Sequence, residues 1–224
     1  MEANETLAKD VIFSSDRRVM NKLVAELIGT FFLVFAVGHA VLSGNALAPI
    51  AIGLGLMAMV YSCGHISGAH FNPAITVSLW LRGKCETKEV VPYIAAQIVG
   101  AVVAALIVVW MRGKGAPDPK AFEMMPLVVA ELLGTFALAW VILNVATAKG
   151  TQNNSFYGAA IGMTVTAGAF AVGDISGAVF NPAVAVGAVA MGLIHVKYLW
   201  MYLVVCPIAG AIAAKVFMGI KAGD

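Results

Sequence analysis

Two Asn-Pro-Ala tripeptides, Asn72-Pro73-Ala74 and Asn181-Pro182-Ala183, have the residue types and spacing to do chemistry. Asn is a strong N-cap and Pro is favoured at the first helical position, so each tripeptide predicts the start of a helix. The Asn oxygen would accept from free backbone N–H groups, which leaves its NH₂ group to donate into a lumen. Two such helix ends facing each other would repel cations and admit a neutral hydrogen-bond acceptor.

The backbone that leads into each tripeptide is expected to be irregular, because helices begin only after Asn72 and Asn181. Irregular backbone at membrane depth must line a watery cavity or be buried in protein. Its carbonyl groups would then form a ladder of acceptors for a permeating molecule. The candidate pore-lining backbone positions are Gly68, Ala69, His70, Phe71, Gly177, Val179 and Phe180.

The composition indicates that lipid is the solvent of this chain. Hydrophobic residues make up 61%, charged residues only 12%, and the mean hydropathy is +0.90, whereas a soluble domain carries about 25% charged residues. The net charge of +2 is too small to suggest nucleic-acid binding. The three cysteines lie far apart and no metal-ligand spacing, nucleophile–base pair or phosphate loop is visible, so we expect no metal, no cofactor and no enzyme activity.

The elements that must position the tripeptides are membrane helices, each needing about 20 apolar residues. Six apolar runs qualify, and they are Leu23–Leu42, Ala46–Cys63, Val90–Met111, Pro126–Thr147, Phe156–Gly173 and Tyr198–Phe217. Two shorter runs, Phe71–Leu81 and Phe180–Ile194, each contain a tripeptide and are predicted to be re-entrant half-helices. The predicted fold is therefore an all-α membrane protein of six transmembrane helices and two half-helices.

The chain repeats itself. Residues 25–31 return as 130–136, and residues 66–74 return as 175–183 with the order kept. Three spans per copy is an odd number, so the second copy must be inverted, and inverted repeats place their site where the copies meet, near the midplane. We expect tails at 1–21 and 219–224 and a channel domain at 22–218, with repeats at about 22–112 and 126–218. Ten Lys and Arg residues on the side of the termini against four opposite place both termini in the cytoplasm.

Over about residues 22–218 the chain resembles the major intrinsic protein family of aquaporins and glycerol facilitators. The resemblance rests on both Asn-Pro-Ala motifs, on the Ala-Glu-x-x-Gly-Thr-Phe repeats and on residues 64–68. It implies a right-handed bundle and a homotetramer with one pore per subunit. Glu26 and Glu131, in the repeated segments, are then loop supports that accept hydrogen bonds from the re-entrant backbone. The alternative for a carboxylate inside a membrane is a proton relay.

The chain departs from the family where most members continue the second motif with a filter arginine, because Val184 stands there. By spacing from the motifs, the predicted filter is Ile52, Ala169, Ala178 and Val184, which is apolar and wide. A shift of one residue would replace Ala169 by Gly168 or by Phe170, and Phe170 would narrow the pore.

The resulting hypothesis is a passive channel for water and small neutral solutes such as glycerol, urea, ammonia or metalloid acids, located in a cell membrane. Alternatives are a water-selective aquaporin, a secondary active transporter, and a structural protein that conducts nothing. His65 would lie at the cytoplasmic vestibule as a gating candidate or an ordinary loop histidine. Asp174 would lie at the outer vestibule, either orienting solutes or simply solvated.

Overall fold

The structure is a computed structural model that describes residues 2–116, 119 and 121–220, with side chains from residue 17 onward. The described residues form helices and loops and contain no strand. The α-helices are α1 (Glu2–Leu42), α2 (Ala48–Ser67), α3 (Pro73–Leu81), α4 (Thr87–Arg112), α5 (Met124–Thr147), α6 (Tyr157–Ser176), α7 (Pro182–Ala190) and α8 (Leu199–Ile220). Single 3-10 turns occur at Lys149–Thr151 and Val196–Tyr198.

Six of these helices are long and apolar enough to cross a membrane, which confirms the predicted number of spans. The candidate spans are Arg17–Leu42, Ala48–Ser67, Thr87–Arg112, Met124–Thr147, Tyr157–Ser176 and Val196–Ile220. Helix α1 begins at Glu2, so the backbone of the predicted tail is helical from residue 2 onward. Residues 221–224 of the other predicted tail lie outside the described residues.

Helices α3 and α7 are the two half-helices, and each has nine residues. Helix α7 ends at Ala190 although the apolar run continues to Ile194, because Gly192 turns the chain at a φ of +73°. Nine helical residues extend about 14 Å at 1.5 Å per residue. That length is half of the hydrocarbon core, so each half-helix reaches only partway across the membrane.

Six successive spans must alternate in direction, so the first begins on the side where the last ends. We call the face where the α1 span begins and α8 ends the terminal face, and the other the opposite face. Helix α1 packs on α2 and α4, α5 packs on α6 and α8, and α2 packs against α6 across the two repeats. Each half-helix packs on the last helix of the other repeat, α3 on α8 and α7 on α4.

Small residues allow these close contacts, as in other membrane helix bundles. A Cβ on Gly100 of α4 would lie 2.5 Å from the Leu27 carbonyl oxygen of α1. A Cβ on Gly29 would overlap the ring of Phe71, and its repeat counterpart Gly134 holds the Phe180 ring in the same way. The re-entrant loops are therefore seated in notches that only glycine leaves open.

Candidate functional site

Each half-helix begins with a capped N-terminus. Asn72 has an extended backbone, with φ −158°, and its Oδ1 accepts from the Ala74 backbone N–H at 2.9 Å. Asn181 accepts at Oδ1 from the Ala183 N–H at 2.9 Å and from the Val184 N–H at 3.4 Å. A proline occupies the first helical position of both half-helices, where the missing N–H is not needed.

The two caps are tied to each other across the repeats. Nδ2 of Asn72 donates to the Phe180 carbonyl at 2.8 Å, and Nδ2 of Asn181 donates to the Phe71 carbonyl at 2.8 Å. The two helix N-termini therefore meet, and their dipoles add positive potential at one place. An amide NH₂ group has two N–H donors, so each Asn keeps one for a molecule in the adjoining cavity.

The loops before the caps have left-handed backbone at three residues each. Gly68 and Gly177 end α2 and α6 with φ of +87° and +85°. Non-glycine residues also adopt positive φ there, with Ala69 at +50°, Phe71 at +49° and Ala178 at +47°. Such backbone costs of order 1–3 kcal/mol per residue and persists only where the surroundings fix it.

Glu26 fixes the first loop. The carboxylate is fully buried and accepts from the backbone N–H groups of His70 (2.9 Å) and Phe71 (2.8 Å) and from Oγ of Ser67 (2.7 Å). Nε2 of Gln97 adds a fourth donor at 2.8 Å. Every strong acceptor position faces a donor from the protein, so the geometry favours the loop-support role over a proton relay.

Glu131 fixes the second loop in the same manner. It accepts from the backbone N–H groups of Val179 (2.9 Å) and Phe180 (2.7 Å) and from Oγ of Ser176 (2.7 Å). Its fourth partner is the thiol of Cys206 at 3.7 Å, a weak donor in the place of Gln97. The second loop therefore depends more heavily on its carboxylate than the first.

Sequence reasoning did not find the tyrosines that brace the loops. Oη of Tyr93 donates to the Ser67 carbonyl at 2.9 Å, and Oη of Tyr202 donates to the Ser176 carbonyl at 2.6 Å. The two tyrosines share one repeat position, since 202 − 93 = 109 and 181 − 72 = 109. A residue-by-residue alignment of the two repeats, extended beyond the motifs, would have revealed them.

A cavity of about 280 Å³ runs past both caps towards the opposite face. Apolar side chains line it at intervals of four residues on α2 and α6, as expected for one face of a helix. All four predicted filter positions, Ile52, Ala169, Ala178 and Val184, lie on its wall. None of the described residues on the wall is Asp, Glu, Lys or Arg.

The register of α6 places the alternatives to Ala169 elsewhere. Phe170 is 55% exposed on the outer surface of the bundle, and Gly168 faces the Phe180 ring, with 2.5 Å from a built Cβ to Cε2. Phe180 itself is buried and is absent from the described cavity wall. Of the other predicted pore-lining positions, Ala69, His70, Phe71, Gly177 and Val179 lie on this wall, and Gly68 does not.

A second cavity of about 800 Å³ opens at the terminal face, and its lining mixes apolar residues and Gly68 with polar ones such as His65, Lys84 and Lys149. It shares Val60, Ala69, His70, Ile142 and Ile161 with the first cavity, so the two adjoin. Together they trace a path between the two faces of the molecule.

Other candidate groups stand apart from this path. The three cysteines are buried free thiols, and burial raises the pKa of Cys85 to about 11, so its thiolate is scarce. Among the described residues, no three His, Cys, Asp or Glu side chains are grouped closely enough to hold a metal ion. Asp174 lies in the last turn of α6 and is not on the wall of either cavity.

The model of the family described as "Major intrinsic protein" matches residues 13–218. The chain is 38% identical to "Putative aquaporin NIP4-1" of Arabidopsis thaliana over 208 aligned positions, in an alignment that covers 86% of this chain and 71% of the relative. It is 33% identical to "Aquaporin AqpM" of Methanothermobacter thermautotrophicus, over 86% of this chain and 94% of the relative. The solved aquaglyceroporin from Plasmodium falciparum superposes with a TM-score of 0.78 at 20% identity, covering 92% and 97% of the two chains.

Proposed function

The chain belongs to the major intrinsic protein family and is a passive membrane channel for water and small solutes, and we propose that its pore admits neutral solutes of glycerol or urea size. The observation that carries this proposal is the apolar side chain on the cavity wall at the position where most members of the family have the filter arginine. Val184 stands there, is 6% exposed, and faces a cavity without a charged side chain among its described lining residues.

An apolar filter acts on solutes through size and desolvation. An arginine would contribute a bulky side chain, fixed donors and a positive charge, and valine contributes none of these. An ion that loses its hydration shell against aliphatic walls meets a large penalty, while a neutral polyol keeps part of its hydrogen bonding through the caps and loop carbonyls. The paired helix N-termini add a barrier to cations and protons.

Coupled transport by the same fold would require an ionisable group facing the solute. Glu26 and Glu131 are occupied by loop donors and neither lies on the described wall of the first cavity. Nothing in the geometry therefore supports ion-coupled uptake, and the passive channel remains the function that the site supports best.

Light scattering from proteoliposomes tests the proposal. Vesicles with the purified chain are challenged with sorbitol, then with glycerol and urea. We expect shrinkage followed by fast re-swelling in glycerol and urea. Val184→Arg should slow that re-swelling, and Val184→Met, which adds volume without charge, should slow it less. Fast shrinkage with no re-swelling above protein-free vesicles would identify a water-selective channel and refute the solute proposal.

We further propose that the chain assembles as a homotetramer in the cell membrane with both termini in the cytoplasm. The family resemblance implies the tetramer, and the ten-to-four distribution of Lys and Arg supports the orientation. Native mass spectrometry from detergent should show four chains. Single cysteines can be placed in the loops and treated with an impermeant thiol reagent added outside intact cells. Cysteines in the α4–α5 connection should react, and cysteines at residues 148–156 should not.

A further inference from the structure

An aromatic ring enters the first cavity from the connection between the two repeats. Phe122 lies just before α5, is half-buried, and stands on the cavity wall together with Gly177, Leu193 and Ile194. A Cβ built on Gly177 would lie 3.8 Å from Cζ of Phe122. Gly177 directly precedes Ala178, so the ring lies beside the predicted filter.

A single hydroxyl group fixes the backbone of Phe122. Oη of Tyr198 accepts from the Phe122 N–H at 2.9 Å and donates to the Phe122 carbonyl at 2.9 Å. The two rings also pack edge to face, with 5.7 Å between centroids and an interplanar angle of 61°. Tyr198 is 4% exposed, so the clamp is anchored in packed protein.

The same connection is anchored a second time near its start. The Gly115 N–H donates to the Met191 carbonyl at 2.9 Å, and a Cβ on Gly115 would lie 2.6 Å from the Gly192 carbonyl oxygen. Both anchors lie on the segment between α7 and α8. The position of the Phe122 ring is therefore set by contacts at both ends of its loop.

At the terminal face, the repeat counterpart of Tyr198 is not a tyrosine. The repeat counterpart of Tyr198 is Glu89, since 198 − 109 = 89, and Glu89 pairs with Nζ of Lys22 at 2.6 Å instead. The cavity at the terminal face is the larger of the two described, about 800 Å³ against about 280 Å³.

We propose that Phe122 is a fifth filter residue, an aromatic wall held by Tyr198 that sets the widest solute the pore admits. The other four filter side chains are aliphatic, so the ring is the largest side chain among the five. This inference rests on the proposed function, because it concerns which neutral solutes pass the same cavity. It adds a size limit that Val184 and the alanines do not supply.

The test compares the permeation of water, urea, glycerol and erythritol into proteoliposomes. Phe122→Ala should keep water flux and raise the ratio of erythritol to water permeability by roughly tenfold, within the range that small size differences at a pocket produce. Tyr198→Phe should move the ratio in the same direction by less. Phe170→Ala, which removes an outward-facing aromatic ring, is the matched control and should leave it unchanged. An unchanged ratio in Phe122→Ala with water flux retained overturns the proposal.

A second variant covers the case in which Phe122→Ala does not fold. The three native cysteines are buried, so Phe122→Cys provides one accessible thiol for a bulky maleimide. Labelling should block water and glycerol flux, while labelling of Phe170→Cys should not. Flux that continues through fully labelled Phe122→Cys overturns the inference about Phe122 and leaves the proposed channel function standing. Wild-type flux no faster than in protein-free vesicles is the distinct outcome that refutes the channel function itself.

Discussion

Replacing Glu131 by Gln tests how the second re-entrant loop is held in shape. The carboxylate accepts at Oε1 from Ser176 and Val179 and at Oε2 from Phe180. Gln has the same size but presents an NH₂ group in place of one oxygen. Whichever way the amide turns, at least one backbone N–H of the loop then faces a donor and loses its partner.

The expected cost follows from that count. A buried donor left without a partner costs about 1–3 kcal/mol, and bonds to a charged acceptor lie at the upper end. The thiol of Cys206 is too weak an acceptor to compensate for the misplaced NH₂ group. We therefore expect Glu131→Gln to lower the free energy of unfolding by about 2–3 kcal/mol.

Glu26→Gln should lower the free energy of unfolding by about 1 kcal/mol less than Glu131→Gln does. That difference is the usual contribution of one hydrogen bond. The reason is Gln97, whose Oε1 is buried without a partner and whose Nε2 donates to Glu26. Turning the Gln97 amide by half a revolution presents Oε1 to the new NH₂ group. The hydroxyl of Thr76, which accepts from Nε2 at 3.0 Å in the wild type, can then donate to Oε1. The second repeat has Cys206 at this place and cannot make the same adjustment.

The assay is equilibrium unfolding in mixed micelles with increasing SDS, followed by circular dichroism and compared with solute flux in proteoliposomes. Glu123→Gln is the control, because Glu123 is exposed and makes no side-chain cap bond to α5. Stability of Glu131→Gln within about 0.5 kcal/mol of wild type, the usual range for surface changes, would refute the loop-support reasoning. A larger cost for Glu26→Gln than for Glu131→Gln would refute the compensation by Gln97.

Two further predictions concern packing and the caps. Gly29→Ala should destabilise the fold by about 1–3 kcal/mol in the same unfolding assay, because its Cβ overlaps the Phe71 ring, while Gly150→Ala, with open space around it, should be neutral. Asn72→Ala removes the cap of α3 and the bond to the Phe180 carbonyl. Asn72→Ala should lower the free energy of unfolding by about 1–3 kcal/mol and reduce solute flux. Asn72→Asp should restore part of the stability, because Asp caps the helix but cannot donate. Full flux in Asn72→Ala would contradict the donor role.

The sequence was sufficient for the architecture because each element has a strong local signal. Apolar length determines the spans, and the Asn-Pro pair sets the start of α3 and α7. The repeated Glu26 and Glu131 indicated the loop supports, because a buried carboxylate in a membrane helix needs several donors. Spacing from the motifs also led to a residue of α6 that lines the first cavity, Ala169, since α6 is continuous and its face repeats every four residues. Its role in the filter stays a prediction.

The contacts that the sequence did not predict depend on two distant segments. Phe122 follows a stretch without apolar periodicity, so nothing local indicated that its ring would reach the filter. Its position depends on Tyr198, which is 76 residues away. The sequence also did not predict that Gln97 and Cys206 occupy matching places in the two repeats, because each is defined by its contact with a carboxylate on a distant helix.

The reciprocal bonds between the two asparagines have the form of an isologous contact, in which residue i of one partner meets residue j of the other and j meets i. A single repeat contains one Asn cap and one loop carbonyl, the complementary pair that such a contact requires. Two separate copies of one repeat, inserted in opposite directions, would satisfy each other at this point. The central contact therefore does not depend on covalent linkage of the halves. Residues away from it can differ between the repeats, as Tyr198, which holds Phe122, differs from its counterpart Glu89, which pairs with Lys22.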